Sequence, residues 1–98
     1  MKITQEKKDG TLKIALEGRL DTTTTPALED VINTSLDGVT ELVYDMKDLE
    51  YISSAGLRVL LSAQKLMNKQ GSMVIKNVCA DIMEVFDITG FSDILTVE

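Results

Sequence analysis

The sequence predicts an α/β fold: a mixed β-sheet, mostly parallel with an antiparallel N-terminal edge hairpin, and helices packed on it in the order ββαβαβαβ. Three observations carry this. Asp9-Gly10 joins two short apolar segments, the strongest short-range signal for a hairpin. Apolar runs at 42–44, 73–75 and 94–97 are separated by stretches of helical periodicity. Strands that alternate with helices return side by side as parallel neighbours through right-handed crossovers.

Ile3 to Glu6 and Leu12 to Leu16 form the hairpin strands, the second alternating Leu12, Ile14, Leu16. Thr25 is expected as the N-cap of the first helix, with Pro26 at its first position. Leu28, Val31, Ile32 and Leu36 recur at helical spacing as its buried stripe, and Gly38 ends it. Leu42-Val43-Tyr44 is a continuous apolar run suited to a central strand, followed by an acidic loop containing Asp45, Asp48 and Glu50. A second helix over Ala55 to Lys69 buries Leu57, Leu60, Leu61 and Met67, and Gly71 stands where a terminating glycine belongs. Met73-Val74-Ile75 is the next strand. Ala80 to Ile88 forms a third helix with Ile82, Val85 and Phe86 inward, Gly90 as left-handed cap and Phe91 folding back on the last turn. Ile94 to Val97 closes the sheet. Residues 1–98 suit one domain, with no repeat, low-complexity tract or linker.

Composition narrows the function. Hydrophobic residues at 44% support a core, and aromatics at 4% make it aliphatic. A net charge of −6 argues against direct binding of nucleic acid and against anionic membranes, both of which require Lys and Arg. It suits a basic patch on a protein partner. No apolar run reaches the ~20 residues that span a bilayer, and the first residues lack the apolar segment of a signal peptide, so no membrane insertion and a cytoplasmic location are expected. Cys79 is alone, with no internal disulfide partner, and reads as a small buried hydrophobe. Without histidine, Ser–His–Asp catalysis, Cys–His catalysis and HExxH zinc sites are excluded, and no P-loop motif is present. The acids at 45, 48 and 50 read as solvated loop charges, so neither catalysis, nor a metal, nor a cofactor is expected.

The most informative stretch is Asp45 to Leu57, where an apolar strand and an acidic loop lead into Ser53-Ser54-Ala55-Gly56-Leu57. A serine at a helix start is a preferred N-cap, because its hydroxyl accepts an orphan backbone N–H. It is also placed where helix amides can receive a phosphate. The residues alone leave both readings open for Ser53 and for Ser54.

These residues resemble the signature of STAS domains, and within them the bacterial anti-sigma-factor antagonists. Gly18-Arg19-Leu20-Asp21 resembles the family's G-x-L-D turn, and Val85-Phe86-Asp87-Ile88-Thr89-Gly90-Phe91 its later L-F-D-x-x-G run. The segments fall in the family's order across nearly the whole chain. Ser53 stands where many members have Asp, Ala55 where they have Ser or Thr, and the chain stops at Glu98 where many continue into a further helix.

The resemblance implies a STAS-like domain in which Ser54 is the phosphoacceptor. It implies a partner surface of Asp21, Ser53, Ser54, Ala55, Gly56 and Leu57. The implied partner is an anti-sigma factor that is also a serine kinase: unphosphorylated antagonist binds it and frees a sigma factor, phosphorylation of Ser54 ends binding, and a PP2C-like phosphatase restores it. This partner switching regulates transcription, and the antagonist itself is no enzyme. Asp21, with Asp48 or Glu50, is expected to repel the phosphate. Gly56, costly early in a helix unless close approach requires it, is expected in the contact surface, so that Gly56→Ala keeps or raises stability while weakening binding.

Two alternatives remain. One is a STAS module acting as a non-phosphorylated scaffold in a transport or signalling complex. The other is a response-regulator receiver with Asp45 as phosphoacceptor, but its first strand should lead into an acidic pair and here leads into Lys7-Lys8-Asp9-Gly10.

Overall fold

A computed structural model describes residues 1–98. Asp9 and Gly10 take φ of 51° and 85°, the positive values a two-residue type I′ hairpin needs. They join β1 (Lys2–Lys8) to β2 (Thr11–Leu20) in an antiparallel pair from Lys8↔Thr11 to Lys2↔Glu17. The chain continues through α1 (Thr25–Ser35), β3 (Glu41–Ile52), α2 (Ser54–Gln70), β4 (Ser72–Lys76), α3 (Ala80–Thr89) and a 3₁₀ turn at Phe91–Asp93. The strand order is β1-β2-β3-β4, with β2–β3 and β3–β4 parallel, so the hairpin strand lies at the edge. This is the mixed α/β sheet that the periodicity predicts.

One face of the sheet carries the core. Leu12, Ile14 and Leu16 of β2, Leu42, Tyr44 and Met46 of β3, and Met73 and Ile75 of β4 join Leu28, Ile32, Leu60, Met67, Ile82 and Phe86 of the helices in a single cluster. Val43 alone among the buried apolar residues lies outside it. The opposite face is uncovered, and Thr4, Glu6, Lys13, Ala15 and Asp45 line a shallow depression there. Tyr44 is fully buried, its hydroxyl has no hydrogen-bond partner, and desolvation drives its pKa above the ordinary phenol range.

β3 corrects the expected acidic loop. The strand does not stop at Tyr44 but runs to Ile52. Ala15 pairs with Asp45 and Glu17 with Asp48, then Gly18 pairs with Leu49 and Arg19 with Tyr51, so each shift leaves one extra residue on β3. These are β-bulges. They change the burial period: Met46, Leu49 and Ile52 are buried at spacing three instead of two. Asp48 and Glu50 therefore project from a bulged strand. They line a concavity with Glu17, Cys79 and Asp81 that does not include the first turn of α2. Asp45 sits within β3, its Oδ1 accepting from Asn77 Nδ2 at 3.0 Å and Lys47 N–H at 3.1 Å. The Asn77 bond leads in holding its pKa below the usual carboxylate value.

Smaller corrections have local causes. α1 begins at Thr25 with Thr24 as its N-cap residue, one position before the expected cap. Leu61 is only half-buried, whereas Val59, Ala63 and Gln64 complete the inner face of α2. Gly90 takes the left-handed conformation as expected, at φ 80°, and the chain turns at once into the 3₁₀ segment. The expected last strand shrinks to one parallel bridge, Ile75↔Val97, with Ile75 N–H donating to Thr96 and Glu98 N–H to Ile75. Leu95 enters the core and Ile94 is left exposed.

At the far end of α2, Gln70 Nε2 donates to the carbonyls of Leu36 and Val39 at 2.7 and 2.6 Å. Gly71 is extended, at φ 173°, so its backbone suits any residue. Space does not: a Cβ there would lie 1.8 Å from the Thr40 carbonyl oxygen.

Candidate functional site

The site forms where β2 and β3 end together on one side of the sheet. Ser53 N–H donates to the Leu20 carbonyl at 2.9 Å, which ties the entrance of α2 to the exit of β2 and brings Asp21 beside the two serines. Ser53 has extended backbone, at φ −96° and ψ 175°, and its Oγ accepts from Gly56 N–H at 3.4 Å. That is an N-cap. The helix proper starts at Ser54, whose side chain is exposed and free of the cap.

The cap therefore falls on Ser53 and not on Ser54. With Ser53 as cap, Leu57 N–H reaches the Ser53 carbonyl, and Gly56 N–H has the hydroxyl. The amides of Ser54 and Ala55 remain as orphan donors at the positive end of α2. No acidic residue occupies this first turn to compensate them.

Asp21 is held by its own turn. Its Oδ1 accepts from Thr23 Oγ1 at 2.7 Å, Thr23 N–H at 3.0 Å and Thr24 N–H at 3.2 Å. The Thr23 hydroxyl leads in lowering the carboxyl pKa. Hence the turn is stabilised above the ordinary carboxylate titration, and the contribution is lost as pH falls through the depressed value. Thr23 and Thr24 thus order an acid beside the serines. Thr24 Oγ1 in turn accepts from Asp21 N–H at 2.9 Å and donates to the Arg19 carbonyl at 2.8 Å.

Two neighbours lay outside the expected set. Arg19 stacks over the exposed ring of Tyr51, 4.1 Å from its centroid, and reaches toward Asp21 Oδ2 at 3.9 Å. Their Cα atoms are paired across β2 and β3. Only Arg19 carries a sequence signal, inside the Gly18–Asp21 turn, because the second bulge decides that Tyr51 lies opposite it.

Of the six residues expected to form the surface, Ser54 is exposed, Asp21, Ser53 and Ala55 are half-buried, and Gly56 and Leu57 are buried. Gly56 corrects the sequence expectation. A Cβ on it would lie 2.8 Å from Leu20 Cγ and 2.9 Å from Ile52 Cγ1, so glycine is required by close packing of helix on sheet. Overpacking of this kind costs about 1–3 kcal/mol. The helix propensity gained from alanine is at most about 1 kcal/mol. Gly56→Ala should therefore lower the melting temperature by several degrees, and a calorimetric melt at or above the wild-type value would show that Leu20 and Ile52 yield freely.

No group of three His, Cys, Asp or Glu side chains is arranged to hold a metal, and no helix is long and apolar enough to cross a membrane. The STAS domain family model matches residues 2–98. BtrV of Bordetella bronchiseptica, which carries the name of an anti-sigma factor antagonist, is 40% identical over 99% of this chain and 85% of its own length. The crystal structure of an anti-sigma factor antagonist from Mycobacterium paratuberculosis superposes with a TM-score of 0.87 at 24% identity, covering 98% of this chain and 83% of that one. SpoIIAA superposes in its unphosphorylated form with a TM-score of 0.79 and in its phosphorylated form, from Bacillus, with 0.78, each at 20% identity. The unphosphorylated match covers 99% of this chain and 87% of that one, the phosphorylated match 99% and 91%. The family match over nearly the whole chain, with the relative at 40% identity, shows that the chain belongs to the STAS domain family.

Proposed function

We propose that this protein is an anti-sigma factor antagonist whose Ser54 is the phosphoacceptor. The observation that carries the reading is the assignment of the cap to Ser53, which leaves the Ser54 hydroxyl exposed at the positive end of α2. The partner is an anti-sigma factor that is also a serine kinase. It docks on the end of the sheet where Ser54, Ala55 and Asp21 meet, with the Arg19–Tyr51 stack at the rim, and it phosphorylates Ser54 with ATP. A PP2C-like phosphatase reverses the modification. The protein acts in the cytoplasm and catalyses nothing itself.

A phosphoserine brings about −1.5 to −2 charges and three acceptor oxygens. At the start of α2 it is favoured by the helix dipole, worth about 0.3–1 kcal/mol, so the domain keeps its fold. Its effect falls on the partner, which would have to bury an unpaired anion beside Asp21. Both the unphosphorylated and the phosphorylated form of SpoIIAA share this fold.

Incubation with the cognate kinase and ATP followed by mass spectrometry tests the assignment. Phosphate is expected on Ser54 alone. Ser53→Ala should lose roughly 1 kcal/mol of stability with the cap and still be modified. Ser54→Ala should be refractory yet bind the kinase permanently. Phosphate on Ser53, or undiminished labelling of Ser54→Ala, would defeat the reading.

A further inference from the structure

A groove of about 330 Å³ runs between α1 and α2 and reaches the switch through Ala55. Its walls include Glu29 and Ile32 of α1 and Arg58, Val59 and Leu66 of α2. Arg58 is the notable group. It is exposed, and the molecule's two ion pairs join Arg19 to Asp21 and Lys76 to Glu98, which leaves its guanidinium unpaired. Even Glu29, on the facing wall, makes no ion pair with it.

Ser54 and Arg58 are four residues apart on one continuous helix. Side chains at that spacing are neighbours on the helix surface, and their charges interact. A guanidinium matches a phosphate with two parallel N–H donors. We propose that Arg58 receives the phosphate on Ser54, so that modification forms an ion pair along α2. This rests on Ser54 being the phosphoacceptor and adds a residue that positions the phosphoryl group. The consequence for the surface is twofold: an anion appears at Ser54, and a cation at the mouth of the groove is withdrawn. A partner that meets a free guanidinium on the unmodified protein meets one paired with a phosphate after modification.

Phosphoserine introduced at position 54 during translation removes any need for the kinase. The second ionisation of the phosphate, followed by phosphorus NMR, reads the pair directly, because a cation beside the dianion lowers that pKa. Glu29 and Asp21 face the same region and act in the opposite direction, but they are common to all variants. Arg58→Gln is expected to raise the phosphate pKa by about 0.15–0.4 units over wild type, the shift equivalent to one helical ion pair at this spacing. Arg58→Lys should fall between the two, keeping charge without the fork, and Lys65→Gln, further along α2, should match wild type. Circular dichroism checks that each variant is folded. Equal pKa values in wild type and Arg58→Gln would overturn the proposal. Absence of kinase labelling at Ser54 would instead sink the switch and leave the measured pair standing.

Discussion

Ser54→Asp is expected to reduce affinity for the anti-sigma factor at least tenfold, equivalent to about 1.4 kcal/mol, while the domain melts within a few degrees of wild type. The two halves of this expectation have separate causes. Stability is preserved because the first turn of α2 contains no acid and presents free amides at Ser54 and Ala55, so a carboxylate there compensates the helix dipole. Affinity should fall because the proposed docking surface includes this exposed position, next to an ordered Asp21. True phosphorylation carries more charge than a carboxylate and should weaken binding further. Titration calorimetry measures the loss, with amide chemical shifts recorded alongside. Shifts confined to the starts of α1 and α2 are expected; shifts spreading through the sheet would favour a rearranged domain, and undiminished affinity would rule out charge exclusion.

Gly71→Ala should be the most damaging single-methyl substitution in the chain. A Cβ at this position would overlap the Thr40 carbonyl oxygen at 1.8 Å and stand 2.6 Å from its carbon. Unlike Leu20 and Ile52 around Gly56, these are backbone atoms, and they cannot rotate away. Thr40 is held on both sides, its N–H donating to Gly10 at 2.8 Å and its carbonyl accepting from Ser72 at 3.0 Å. Relief therefore means moving the start of β3 or the turn into β4. A loss of about 3 kcal/mol, and a melting temperature lower by more than about 10 °C, is expected. The switch lies at the other end of the 17-residue α2, roughly 25 Å away along the helix axis. Affinity per folded molecule, measured well below the transition, should accordingly be unchanged. A near-native melt would mean that the strand and turn separate readily.

Where the chain follows simple periods, the sequence was legible. Asp9-Gly10, the alternation of Leu12, Ile14 and Leu16, and the stripe on α1 each express one local rule. The second half of β3 does not, because two bulges replace a period of two by one of three. Met46, Leu49 and Ile52 then read as isolated apolar residues among acids. The serines were recognisable as a pair, but which one caps the helix depends on the Ser53–Leu20 hydrogen bond between distant segments. Gly56 and Gly71 were visible as glycines, whereas their reasons, Leu20 with Ile52 in one case and Thr40 in the other, exist only after the sheet has formed. Ile94 to Val97 has the composition of a strand, yet it follows a left-handed glycine and a 3₁₀ turn that leave room for a single bridge.

The stack of Arg19 on Tyr51 gives the molecule an optical handle. The chain contains two tyrosines and no tryptophan, so its intrinsic ultraviolet emission comes from Tyr44 in the core and Tyr51 at the rim of the switch. The buried Tyr44 phenol resists ionisation beyond the ordinary range. A Tyr44→Phe variant would leave Tyr51 as the sole emitter, a label-free reporter of whatever settles on that end of the sheet.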